Sequence, residues 1–166
     1  IPSRNETGNV TFFITATDTA GNTNTSANFS YVADGEAPAI ENITVTPPAP
    51  SVSDAINITA TVTDNQAIKQ VTINYFDGNN RTIANMTLLS GNTYLATIGP
   101  IPANQTDFVI NATDIAGNSN ASPQIIIALR KPIIEVNPEA LNFSVVGIKQ
   151  DVRANITIFN NGSADL

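Results

Sequence analysis

The residue pattern with the clearest chemical meaning is Asn-x-Ser/Thr, the acceptor sequence for N-linked sugars. It occurs at Asn5, Asn9, Asn24, Asn28, Asn42, Asn57, Asn80, Asn85, Asn104, Asn111, Asn120, Asn142, Asn155 and Asn161. That is 14 sites in 166 residues, where pairing by chance at this Asn, Ser and Thr content gives about 4 under the bare motif rule. Asn57, Asn111 and Asn155 fall on the polar phase of segments whose other phase is Ile, Val, Phe and Ala. In a strand those two phases face opposite sides, so these amides are expected to point to solvent. The competing explanation is compositional: Asn and Thr simply share exposed strand faces.

Carboxylates are the second candidate chemistry. Asp18, Asp34 and Glu36 are placed to meet at a junction between two structural units, and hard oxygen ligands are what calcium takes. The plainer alternative is that Asp18 caps its own turn while Asp34 and Glu36 solvate a linker. The corresponding second junction reads Leu129-Arg-Lys-Pro132, which is positive, so a metal mechanism common to all junctions is not expected.

Other chemistries are thinly supplied. The chain has no cysteine and no histidine, which removes disulfides, thiolate catalysis, zinc-thiolate sites and the usual general base. No Gly-x-Ser-x-Gly and no phosphate-cradling glycine loop occurs, so no enzyme activity is expected. Tyr31, Tyr75 and Tyr94 are the residues from which a sugar-binding face would be built, though they lie far apart and packing explains each. The net charge is −7, and no segment is basic, which argues against nucleic acid and anionic membrane surfaces as partners.

The elements that position these residues are strands. Thr, Val and Ile favour pleated, half-buried surfaces, and no stretch holds a helical period. The phrase ATDTAGNTNTS at residues 16–26 returns as ATDIAGNSNAS at 112–122, an offset of 112 − 16 = 96 residues. Each copy reads as a hairpin tip, with Asp18 or Asp114 accepting turn amides and Gly21 or Gly117 supplying a positive φ. A repeat of one small domain's length predicts tandem modules. The expected organisation is the C-terminal hairpin of one module in residues 1–36 (strands 10–17 and 27–33), a complete sandwich in 37–130, and the opening strands of another module in 131–166. Within 37–130 the strands are expected at 40–46, 55–63, 70–76, 82–89, 93–98, 107–113 and 124–129. Strands at 133–136, 141–146 and 152–159 begin the third unit. The start at Ile1 rather than Met fits a processed chain or an excerpt from a longer one.

Residues 40–75 and 104–120, with "TATVTDN" and "ATDIAGN" as their paired elements, resemble the immunoglobulin-like repeats of bacterial and archaeal secreted and surface-layer-type proteins. Residues 141–165, LNFSVVG followed by NITIFNNGSAD, resemble the start of an adhesion-related or spindle-protein-like module. The resemblance implies an all-β fold of tandem immunoglobulin-like sandwiches and an extracellular or cell-surface location. It implies a stalk, spacer, adhesin or coat role without family catalytic residues, and sequon density without cysteine suggests an archaeal surface protein. The expected partners are neighbouring modules, copies of the same chain, or cell-surface glycans and proteins. Two other readings stand beside it: a filament subunit assembled head to tail by strand complementation, and an accessory binding module of a secreted enzyme.

Overall fold

The computed structural model describes residues 7–140 and 153–163. All its regular elements are strands. β1 (Gly8–Phe12) pairs with β4 (Phe29–Ala33), and β2 (Thr15–Thr17) pairs with β3 (Thr23–Thr25). β5 (Ala39–Thr46), β6 (Ile56–Thr63), β10 (Thr93–Ile98) and β9 (Thr87–Ser90) form one sheet in that order. The facing sheet runs β12 (Ser119–Ala121), β11 (Gln105–Asp114), β7 (Ile68–Phe76), β8 (Arg81–Asn85), with β13 (Ile125–Ala128) also on β11. β14 (Ile134–Asn137) and β15 (Thr157–Asn160) make a separate ribbon.

Alternation builds the core of the sandwich. Ile56, Ile58, Ala60 and Val62 on β6 are buried, while Asn57 and Thr63 between and beyond them are exposed. Phe108, Ile110 and Ala112 do the same on β11, and Val71 and Ile73 on β7. These side chains join Met86, Ala96, Ile98, Ile101, Ile127 and Leu129 in one cluster between the sheets. Each fully buried Ile or Phe contributes about 1.5–3 kcal/mol of transfer free energy, so this cluster holds the sheets together.

Two expected strands, 10–17 and 82–89, divide in ways that alternation alone does not signal. Residues 82–89 change sheets: β8 pairs with β7 and β9 with β10. The change occurs at Met86, which turns inward and donates its amide to the Val71 carbonyl. The two hairpins of the repeated phrase are each interrupted as well. On the return strand of the second, Ser122 sits between β12 and β13, and its Oγ accepts the Ile110 amide at 3.0 Å and donates to the Pro123 carbonyl. Ser26 repeats this arrangement between β3 and β4, accepting from Ile14 and donating to Ala27. The serine therefore replaces a backbone acceptor where the ladder breaks. Ser122→Ala is expected to leave the buried Ile110 N–H without its acceptor and to cost about 1–3 kcal/mol, read as a lower urea midpoint with an unchanged slope. A loss too small to resolve would show that Ser122 fills space and no more.

The expected edge strand 40–46 is β5, which lies at the end of its sheet and carries a bulge between Glu41 and Thr44 with Asn42 at φ 50°. The expected strand at 141–146 lies outside the described residues, as does residue 152; of the expected strand 152–159, residues 153–156 are not strand and only 157–159 are, in β15.

Candidate functional site

The repeated phrase folds the same way in both copies. In the first, Asp18 Oδ1 accepts the amides of Ala20 and Asn22, each at 2.9 Å, and Oδ2 accepts the Asn22 side-chain amide at 2.8 Å. In the second, Asp114 Oδ1 accepts Gly117 and Asn118 amides, and Oδ2 accepts the Asn118 side-chain amide at 2.8 Å. Gly21 and Gly117 take φ of 90° and 99°, the left-handed region that a side chain disfavours. Asn22 side-chain and main-chain donors hold the Asp18 carboxyl below its ordinary value. Burial pushes the Asp114 carboxyl up, but the hydrogen bonds from Asn118 and the Gly117 amide outweigh it, so this group too stays low and ionised.

The two turns differ in their surroundings. Asp18 is exposed, whereas Asp114 is 0% exposed. The covering element is the linker that follows β4. Asn118 Nδ2 donates to the Asp34 carbonyl at 3.1 Å, and Asn120 Nδ2 donates to the Pro38 carbonyl at 2.9 Å. Pro38 is buried. The second turn therefore grips the linker by two side-chain amides, and the phrase is a clamp as well as a hairpin tip.

That grip brings carboxylates together. Among the described residues, Asp34, Asp64 and Asp114 form a trio in which one carboxylate oxygen from each lies within 4.8 Å of the other two. Asp34 comes from the linker, Asp64 from the loop after β6, and Asp114 from the end of β11. The Ile115 amide bonds the Ala67 carbonyl at 3.1 Å and fastens the β6–β7 loop to the turn. Asp34 Oδ1 accepts Thr7 Oγ and the Glu36 amide, and Asp64 Oδ1 accepts the Gln66 amide. The other oxygen of each, Oδ2, is shut off from solvent and accepts no hydrogen bond.

Of the three carboxylates singled out from sequence, only Asp34 lies in this trio. Asp18 spends both oxygens on its own turn, and Glu36 is exposed, contributing only its amide to Asp34. Asp64 and Asp114 were the missing members. A signal for them exists: a Thr-Asp step ends an alternating strand at 63–64 and again at 113–114.

The sequon asparagines spread over the surface. In the sandwich, Asn42, Asn57, Asn80, Asn85, Asn104 and Asn120 are exposed and Asn111 is half-buried. Asn9, Asn24, Asn28, Asn155 and Asn161 are exposed on the flanking ribbons and loops; Asn5 and Asn142 lie outside the described residues. Asn57 and Asn85 use only their side-chain oxygens, accepting from Thr97 Oγ at 2.7 Å and Gln70 Nε2 at 2.8 Å. The amide nitrogen, where an N-linked sugar attaches, is left over in both. Asn120 is the opposite case, since its nitrogen holds Pro38. Asn161 likewise gives its nitrogen to Glu135.

The three tyrosines do not form a platform. Tyr31 packs edge-on against Phe12 in the first ribbon, Tyr75 lies on β7 and Tyr94 on β10 in the opposite sheet. An open groove of about 380 Å³ runs beside Tyr94, lined also by Ile68, Lys69 and Met86, and no acid or hydroxyl nucleophile other than the Tyr94 phenol lines it. A scan against protein-family models and a search of curated proteins find no match to the chain.

Proposed function

We propose that this chain is a structural segment of an extracellular, glycosylated surface protein, a spacer or coat element built of β-sandwich modules in series and carrying out no reaction. The observation that supports this most is the disposition of the sequons. In the sandwich, where a full core separates inside from outside, no sequon asparagine is buried, and Asn57 and Asn85 commit only their oxygens to the protein. Sugars on such positions extend from the strand faces without disturbing the core, and an N-linked coat fits a surface location. The clamp of Asn118 and Asn120 on the linker adds a fixed connection between consecutive units, which a spacer needs and a flexible tether lacks.

Intact-mass measurement on the protein from its native source tests this reading. The expected result is a mass above that of the native polypeptide by several sugar chains, collapsing to the bare value after chemical deglycosylation. A mass equal to the bare polypeptide would remove the glycosylated-surface reading.

One observation favours a second reading, assembly through the terminal ribbons. Phe13, Ile14, Phe29 and Val32 at one end, and Ile133, Ile134, Ile156, Ile158 and Phe159 at the other, are 45% exposed or more. Two-stranded ribbons with an uncovered apolar face recruit further strands, and strands donated between copies would give a head-to-tail filament. Light scattering of the 166-residue chain decides: mass rising with concentration supports assembly, and a monomer at every concentration rejects it.

A further inference from the structure

We propose that Asp34, Asp64 and Asp114 form a calcium site that fastens the linker after β4 to the pole of the sandwich. Two independent observations carry it. The first is geometric: one oxygen from each carboxylate lies within 4.8 Å of one from each of the others. Calcium holds its ligands at about 2.4 Å, so opposite ligands stand about 4.8 Å apart and three such oxygens fit in one shell. Magnesium, which demands near-ideal octahedral geometry at about 2.0–2.1 Å and gives up its waters reluctantly, suits a cage of protein carboxylates less well.

The second observation is the pair of orphaned oxygens. Asp34 Oδ2 and Asp64 Oδ2 are buried and accept no hydrogen bond, although Oδ1 of each does. A carboxylate oxygen withdrawn from water without a donor is costly, and both belong to members of the trio, whose third carboxylate, Asp114, is fully buried. No basic side chain offsets the charge: the one ion pair among the described residues is Arg81 with Asp107. A hard dication satisfies the orphaned oxygens and the like charges together. The remaining coordination positions would fall to water or main-chain carbonyls, as is usual for calcium.

The site joins three segments that are distant in sequence, and one of them is the linker. Asn118 and Asn120 already hold that linker by its Asp34 and Pro38 carbonyls; the cation would hold it by charge. At the position 96 residues after Asp34 the chain has Arg130, so the device is specific to this junction. Its use in stiffening a series of modules rests on the spacer reading. The binding itself does not.

Thermal unfolding of the full chain tests the site, followed by circular dichroism in EDTA, in calcium chloride and in magnesium chloride, with the two variants Asp34→Asn and Asp64→Asn. Extracellular calcium modules bind at about 0.1–1 mM, so about 10 mM calcium should raise the wild-type Tm by about 5 °C or more, and magnesium should do much less. In EDTA both variants should match or exceed the wild type, because an uncharged amide relieves the crowding of three carboxylates. In calcium both should lose the shift. An unchanged wild-type Tm in calcium overturns the proposal. So does a shift that survives both substitutions, which would be diffuse binding to a chain of net charge −7. Variants that melt below the wild type in EDTA would also overturn it, by showing that the carboxylates are partnered without a cation. A chain without a calcium response but carrying sugars would leave the spacer reading intact, and a sugar-free native chain that responds to calcium would do the reverse.

Discussion

Replacing Phe108 by alanine is expected to lower the unfolding free energy by about 3–5 kcal/mol, the largest effect of any single truncation in the sandwich. Phe108 is 0% exposed and has the largest side chain among the fully buried residues. It sits on β11 opposite Tyr75 on one side and Ile125 on the other, so both neighbouring strands close around it. Two sheets fixed by their hydrogen bonds and by the rest of the cluster cannot collapse into the space left behind, and the cavity term adds to the lost transfer energy. Urea unfolding at equilibrium measures it. The midpoint should fall sharply with little change in slope; a loss below about 1.5 kcal/mol would mean that the core around Phe108 is loosely packed. Phe12 occupies the same place in the first copy of the repeat, and there it stacks on Phe29 with ring centroids 5.5 Å apart.

Gly99→Ala is expected to cost about 3 kcal/mol, from a strained φ together with a steric clash. Gly99 takes φ 91°, and a Cβ built on it would stand 2.7 Å from the Asp54 carbonyl oxygen. Main chain cannot move aside as a side-chain end does. The loop carrying Asp54 is itself pinned, because Asp54 Oδ2 accepts the Ser51 amide at 2.7 Å and Val52 donates to the Arg130 carbonyl. Gly91→Ala is the control: it also has a positive φ, 53°, but open space around the added carbon. It should lose only about 1–2 kcal/mol. Equal losses in the two variants, measured by the same urea titration, would show that the contact with Asp54 relaxes freely.

Much of this architecture can be read from residue order. The alternation of Ile56, Ile58, Ala60 and Val62 predicts a strand with one buried face, and β6 is that strand. The Asp-x-Ala-Gly-Asn phrase predicts a hairpin tip closed by a carboxylate and a glycine, and Asp114 with Gly117 closes it. Both follow from interactions among near neighbours, which residue order displays directly. The sheet change at Met86 is hidden because residues 82–89 contain neither Gly nor Pro to mark a break. What decides it is which sheet each half can reach, a tertiary matter. The Thr-Asp step marks Asp64 in the sequence, but its meeting with Asp34 and Asp114 is hidden for the same reason. Asp64 lies 114 − 64 = 50 residues from Asp114 and 64 − 34 = 30 from Asp34, and only the packing of two sheets with a linker laid across their pole places the three side by side.

Three of the sequons acquire a structural reason for their hydroxyl. Ser26 and Ser122 are acceptors at the broken ladders, and Thr106, 1% exposed, donates to the Phe76 carbonyl at 2.6 Å. The motifs at Asn24, Asn104 and Asn120 therefore arise partly from folding requirements. Thr59 of the Asn57 motif likewise bonds Thr44 Oγ across the strands at 2.7 Å, so the weight of Asn57 and Asn85 in the functional reading rests on their uncommitted amide nitrogens.

The central claim is that the strand faces of this chain carry sugars. Site-by-site mass spectrometry of peptides from the native protein measures it directly. Modification is predicted at Asn57 and Asn85, whose amide nitrogens are uncommitted, with Asn120 left bare because its nitrogen holds the Pro38 carbonyl. Unmodified asparagine at Asn57 and Asn85, or a sugar at Asn120 and none elsewhere, would contradict the account.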